Sequence, residues 1–285
     1  MRRAGMNTAV FLGGGRITAA LVAGLRHAGF RGRIVVYDRH AEKLRRLHDC
    51  YAVRAEPNLR GAIRAADLLL IAVRPPDVLP LLATIAAAGP LPRRAMAVSL
   101  AAGVPLRALR RALGPGVCWA RAMPSPACRN AHGLTALAFD RGAPTAARRR
   151  VHELFARVGE VMEIPEREFD AFTVVYSTSQ GIHALASRIR AARKIGLSPR
   201  TASLAAAHAL VEGARALAEG KASLDELLAE AATPSGIAAE VLDTMRAAAY
   251  DQIVERAYRE GVARAREAGR AGSAAAKAPR LPRRS

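Results

Sequence analysis

Short apolar runs punctuate the first 165 residues, separated by longer stretches of mixed polarity. Thr8 to Leu12, Ile34 to Tyr37, Leu68 to Val73 and Ala95 to Leu100 are continuous runs of strand length, as expected for strands buried on both faces. Between them, apolar residues recur at helical spacing. Leu44 and Leu47 mark the inward face of Ala41 to Asp49, and a further helix spans Pro105 to Leu113. Pro75 and Pro76 stop the Leu68 run, and Asp77 is placed to cap a helix over Val78 to Ala88. Minor strands are predicted at Val53 to Ala55, Val117 to Ala120, Leu134 to Phe139 and Val161 to Ile164. Helices are predicted from Asn58 to Ala66 and from Ala146 to Val158. Strands alternating with helices predict a doubly wound, mostly parallel α/β sheet.

From Glu166 onward only helical periodicity remains, with breaks at Ile195 to Pro199, at Gly220 and at Thr233 to Gly236. Ser198-Pro199 and Ser223 with Glu226 mark helix starts, the second as a capping box. Three parts are therefore expected. Residues 1–165 form the sheet domain, and residues 166–269 an all-α domain whose Ala-rich faces suit dimerisation. Residues 270–285, rich in Ala, Gly, Pro and Arg, form a disordered basic tail.

Composition narrows the class. The chain is 51% hydrophobic and 24% charged, the balance of a globular protein. No apolar run reaches the roughly 18–20 residues of a membrane span, so no membrane partner is expected. Cys50, Cys118 and Cys128 have an odd count and no metal-ligand spacing, which predicts a reduced, cytoplasmic protein and no metal site. A net charge of +20 raises the question of a nucleic-acid partner. The arginines are scattered, however, and aromatic residues are only 4%, so no basic stacking platform exists. The expectation is a solvated basic surface that attracts anionic cofactors and substrates, with no specific nucleic acid.

The chemistry starts where the first run passes into Gly13-Gly14-Gly15 and then into a helical stretch ending near Gly29. Gly13 permits a tight turn. Gly15 lacks a Cβ, so a pyrophosphate can approach the backbone, and the following helix start offers free N–H groups and a positive dipole end. Thr18 stands at the third position of this fingerprint, where Gly or Ala is usual. The second run ends in Asp38-Arg39, about 20 positions on, where a ribose acceptor belongs. Strand, glycine turn, helix, strand and acid in this order predict a Rossmann-type dinucleotide site. Asp38 would favour NADH by accepting from a free ribose hydroxyl, whereas Arg39 would clamp a 2′-phosphate or stack on adenine. The basic surroundings tip the expectation to NADPH over NADH.

Several stretches, in order, are similar to those of the pyrroline-5-carboxylate reductase family, which reduces a cyclic imine to proline. Phe11 to Ile17 resembles its first turn, with Arg16 and Ile17 where Asn and Met are usual. Ala72-Val73-Arg74-Pro75-Pro76-Asp77 resembles its Ala-Val-Lys-Pro-Gln-Asp, and Val98 to Val104 its Ile-Ser-Ile-Ala-Ala-Gly-Val. Arg121-Ala122-Met123-Pro124 and Gly133-Leu134-Thr135-Ala136 continue the likeness, which spans roughly residues 8 to 268. Departures gather in the second half. Ser125 follows Met-Pro where the family has Asn. Tyr176 to Ile182 replaces its Ser-Gly-Ser-Gly-Pro-Ala-Tyr turn, and Ala232 to Ala238 its Thr-Ser-Pro-Gly-Gly-Thr-Thr loop.

The resemblance implies an NAD(P)H-dependent oxidoreductase acting on a C=N bond, with a helical dimerisation domain and a role in proline biosynthesis. It implies cofactor contacts at Gly13, Gly14, Gly15, Arg16 and Ile17, at Asp38 and Arg39, and at Ala72, Val73, Arg74 and Pro75. Asn58 falls on the adenosine side, where a helix cap is the alternative use. Thr178, Ser179, Gln180, Ser235 and Gly236 would hold the substrate. Thr233 keeps the loop position of a proton relay, and its alternative is a cap before Pro234. The altered loops leave two other readings open: reduction of a different imine, or a nucleotide-binding regulatory protein without turnover.

Overall fold

The computed structural model describes residues 8–92 and 95–277. Among them one eight-stranded sheet has the order β3-β2-β1-β4-β5-β6-β7-β8. β1 (Thr8–Leu12), β2 (Arg33–Tyr37), β3 (Arg54–Ala55), β4 (Leu68–Ile71), β5 (Met96–Ser99) and β6 (Cys118–Met123) pair in parallel. β7 (Gly133–Phe139) lies antiparallel to β6, and β8 (Gly159–Glu163) parallel to β7. The reversal at β7 has a local cause. Only a short connection, with a 3₁₀ turn over Pro126–Asn130, separates it from β6, too little chain for a crossover helix.

The continuous apolar runs are explained by two cores, one on each face of the sheet. Ala9 and Phe11 of β1 and Leu68 and Leu70 of β4 point to one face. There they meet α1 (Arg16–His27), α2 (Ala41–Tyr51) and α6 (Thr145–Ala156) through Leu21, Leu25, Leu47 and Phe155. Val10, Leu12, Leu69 and Ile71 point to the other face, against α3 (Leu59–Arg64), α4 (Pro75–Ala88) and α5 (Leu106–Leu113) through Ile63, Val78, Leu82, Ile85 and Leu109. Each of these side chains is buried, and each Val, Leu, Ile or Phe among them stabilises the fold by about 1.5–3 kcal/mol.

Two expectations are corrected here. α4 begins at Pro75, before the expected Val78, because prolines at the first helical positions need no N–H partner. Asp77 consequently lies inside the first turn and pairs with Arg74, Nε to Oδ2 at 3.1 Å, instead of capping. The C-terminal helix α12 (Tyr250–Lys277) runs past residue 269, so the first part of the expected tail is helical; residues 278–285 lie outside the described ones. Its Ala-rich end has high helix propensity. It also packs, as a Cβ on Gly269 would collide with the Gly103 carbonyl.

The chain divides into two compact units, the first formed by the residues up to Tyr176 together with those from Gly261, the second by Ser177–Glu260. In the first unit, a charged cluster around one buried arginine ties the returning helix to the sheet. Arg121 of β6 is 1% exposed, lies 4.1 Å from the Phe169 ring centroid and donates to Asp170 Oδ1 at 2.9 Å. The other Asp170 oxygen faces Arg266 of α12 at 3.4 Å, and Glu166 accepts from the Leu106 amide at 2.5 Å. Asp170 belongs to α7 (Phe169–Val175).

The second unit holds α8 (Thr178–Lys194), α9 (Pro199–Ala218), α10 (Leu224–Ala231) and α11 (Ile237–Ala247), and it contains the first part of α12. The capping box forms as expected, with Ser223 and Glu226 bonded reciprocally, and the Ser223 hydrogen bonds hold the Glu226 carboxyl below the usual range. Ala202 and Ala206, one helical turn apart on α9, are buried, whereas Ile182, Ile195, Ile237 and Val241 are exposed.

Candidate cofactor and substrate sites

The strand order reverses between β1 and β4, and in open α/β sheets the ligand crevice lies at the carboxyl ends of the strands flanking such a switch. A cleft of about 600 Å³ lies there, within the range of small-ligand sites. Leu12, Gly13 and Gly15 line it from the end of β1, Tyr37 to His40 from the end of β2, and Ala72 to Arg74 from the end of β4. Lys43 of α2 and Asp77, Pro80, Leu81 and Thr84 of α4 complete the walls.

A dinucleotide fits this turn. Gly13 has φ +114°, and a Cβ there would stand 2.5 Å from the Ala72 carbonyl oxygen, so only glycine keeps β1 and the β4 loop this close. A Cβ on Gly15 would meet nothing within 4 Å, which marks the open face of the cradle. α1 carries no acidic residue in its first turn, so the N–H groups of that turn meet no carboxylate of their own helix and can face an anion. Thr18 explains its own departure from the fingerprint: it is fully buried, and its hydroxyl donates to the Gly13 carbonyl at 2.5 Å, tying helix to turn.

Asp38 is turned inward. Its Oδ2 accepts from the Gly14 amide at 2.7 Å, and its Oδ1 accepts from the His40 amide at 2.9 Å and faces His40 Nδ1 at 2.8 Å. Lys43 Nζ stands 3.5 Å from Oδ2. Burial acts to raise the carboxyl's pKa, but these hydrogen bonds and the Lys43 charge outweigh it and hold the group below the usual range. Asp38 thus braces the glycine turn, and Gly14 uses its N–H inside the protein.

Of the expected cofactor residues, Gly13, Gly15, Asp38, Arg39, Ala72, Val73 and Arg74 line one cleft. Arg16 and Ile17 open α1, Pro75 opens α4, and Asn58 caps α3 by accepting from the Gly61 amide at 3.2 Å. Tyr37, His40, Lys43 and Thr84 were missed. The signal for Thr84 was one helical turn from Pro80; His40 and Lys43 belong to the basic start of α2 just past Asp38.

The expected substrate residues lie in the second unit. Thr178, Ser179 and Gln180 form the first turn of α8, where the Ser177 and Ser179 hydroxyls bond at 2.7 Å. Thr233, Ser235 and Gly236 share the turn between α10 and α11. The Gly236 amide donates to the Thr233 carbonyl at 2.9 Å, and Ser235 has φ +59°.

Residues 8–103 match the family model described as NADP oxidoreductase coenzyme F420-dependent, and residues 166–268 match pyrroline-5-carboxylate reductase dimerisation. Pyrroline-5-carboxylate reductase of Mycobacterium tuberculosis is 31% identical over 213 residues, 72% of each chain. That of Thermus thermophilus is 32% identical over 263 residues, 88% of this chain and 96% of its own. The chain belongs to the pyrroline-5-carboxylate reductase family. A crystal structure of Plasmodium falciparum pyrroline carboxylate reductase with NADP bound shares the fold, with a TM-score of 0.81 at 18% identity, covering 93% of this chain and 98% of its own. The family match covers the cleft and the helical unit alike. Among the described residues, no helix is long and apolar enough to cross a membrane.

Proposed function

We propose that this protein reduces a cyclic imine with a nicotinamide cofactor, converting pyrroline-5-carboxylate to proline as a cytoplasmic homodimer with no nucleic-acid partner. Membership of the family over both units supports the reaction, and the dimerisation match with the exposed apolar side chains of the helical unit supports self-association. The observation that carries the cofactor assignment is the cleft built on Gly13, Gly15 and the open start of α1.

Gly15 and the first turn of α1 would hold the pyrophosphate, and Ala72 to Arg74 would line the nicotinamide end. When bound, the reduced nicotinamide supplies the hydride. We assign NADPH as the preferred form, because Arg39, His40 and Lys43 line the rim as donors to a 2′-phosphate, while the Gly14 and His40 amides and Lys43 offset the Asp38 charge that would repel it. Thr178, Ser179, Gln180, Ser235 and Gly236 hold the substrate carboxylate through hydroxyl, amide and backbone donors. Thr233 Oγ1 carries the proton to the imine nitrogen.

The test is oxidation of NADPH and NADH with pyrroline-5-carboxylate and a panel of small imines, in wild type and Lys43→Ala. Turnover with NADPH preferred, and weakened selectively by Lys43→Ala, is the expected result. Tight NADPH binding without oxidation of any imine would overturn the reductase and leave a nucleotide-binding regulatory protein.

A further inference from the structure

The β6/β7 ladder pairs Ala122 with Leu137 and Met123 with Ala136, and this register carried two residues further sets Ser125 opposite Leu134. The ladder stops first, because Pro124 turns the chain away and has no N–H to offer. The gap is filled by a side chain from another element. The Tyr176 hydroxyl accepts from the Leu134 amide at 2.6 Å and donates to Ser125 Oγ at 3.1 Å. Ser125 is buried and also accepts from the Ala127 amide at 3.3 Å, so the bridge ends on an ordered turn. The Tyr176 ring is held in turn by Phe172, centroid to centroid 5.1 Å.

Tyr176 is the residue after α7 and the last before Ser177, where the second unit begins and α8 is capped. We propose that Tyr176 is a positioning residue: by completing the β6/β7 ladder, its hydroxyl fixes the start of α8 and with it the hydroxyls and amide of Thr178, Ser179 and Gln180. The assignment of those three residues to substrate rests on the imine-reductase reading; the anchor itself does not.

Tyr176→Phe keeps the ring and removes the bridge. Amide hydrogen exchange over Gln180 to Leu185 should accelerate about tenfold, and KM for pyrroline-5-carboxylate should rise about tenfold with kcat and the NADPH Kd unchanged, as expected when only placement of a binding group is lost. Ser125→Ala leaves the Leu134 bond in place and should show the same pattern at about threefold, which keeps the test open if Tyr176→Phe folds poorly. Unchanged exchange in both variants would overturn the anchor. Faster exchange with unchanged KM would overturn the positioning role. A wild type that turns over no imine would overturn the reductase reading, and the exchange measurement then decides the anchor by itself.

Discussion

Arg121 and Asp170 form an ion pair whose two halves should differ in what their removal costs. The Arg121 side chain is 1% exposed, and the Asp170 side chain 17%. Arg121→Met removes the charge that is fully buried and fills much of its volume. Asp170 then keeps Arg266 and its partial exposure, so little unpaired charge remains. Asp170→Asn does the reverse, leaving a buried guanidinium with Glu166 at 3.8 Å as its nearest carboxylate. Breaking a buried pair while stranding a charge costs about 3–5 kcal/mol, whereas replacing a buried ion by an apolar side chain of similar volume is often far milder. We expect about 3–4 kcal/mol for Asp170→Asn and about 1–2 kcal/mol for Arg121→Met, and the double variant should be more stable than Asp170→Asn alone. Urea denaturation at one fixed protein concentration reads the difference, with the slope m unchanged. If Arg121→Met proves as costly as Asp170→Asn, or the double variant loses the sum of the two, the cluster holds the fold by packing and the charge argument fails.

Two further outcomes follow from the cleft. Gly13→Ala forces a Cβ to 2.5 Å from the Ala72 carbonyl at φ +114°, so it should lower stability by about 2 kcal/mol or more and weaken NADPH and NADH alike, read by denaturation and by fluorescence titration. Asp38 has its carboxyl pKa held below the usual range, so the stability it contributes is present above the unfolded value of about 3.9 and is lost as pH falls through the lower folded value. Wild type should therefore exceed Asp38→Ala by a constant margin from pH 7 to about pH 5, and that margin should narrow as pH falls below about 4; a margin that shrinks between pH 7 and 5 would show that another group carries it.

Much of the cofactor end was legible along the chain because its signals are local. An apolar run of strand length, three glycines, a helix start and an acid at the next strand's end each depend on residues only a few positions apart. The same holds for the Ser223–Glu226 capping box, which forms as its spacing predicts. Periodicity also predicted the change at Glu166 from a sheet to helices alone.

What failed to show in the sequence depends on groups far apart in the chain. Asp38 stands where a ribose acceptor belongs; that its oxygens also accept from the Gly14 and His40 amides shows only in the folded turn. Arg121 fell just past the strand expected at Val117 to Ala120, and Tyr176 opened the turn that departs from the family pattern. Their partners Asp170, Ser125 and Leu134 lie 49, 51 and 42 residues away. Residues 270–277 of the expected tail continue α12, and Gly269 just before them lies against the Gly103 carbonyl, a contact that residue type alone does not announce. Strand runs, glycine turns and caps are set by backbone sterics and by hydrogen bonds within a few residues, so the sequence by itself determined them. Which polar atom satisfies which is decided only when distant segments are packed and water is excluded, and that choice belonged to the tertiary structure.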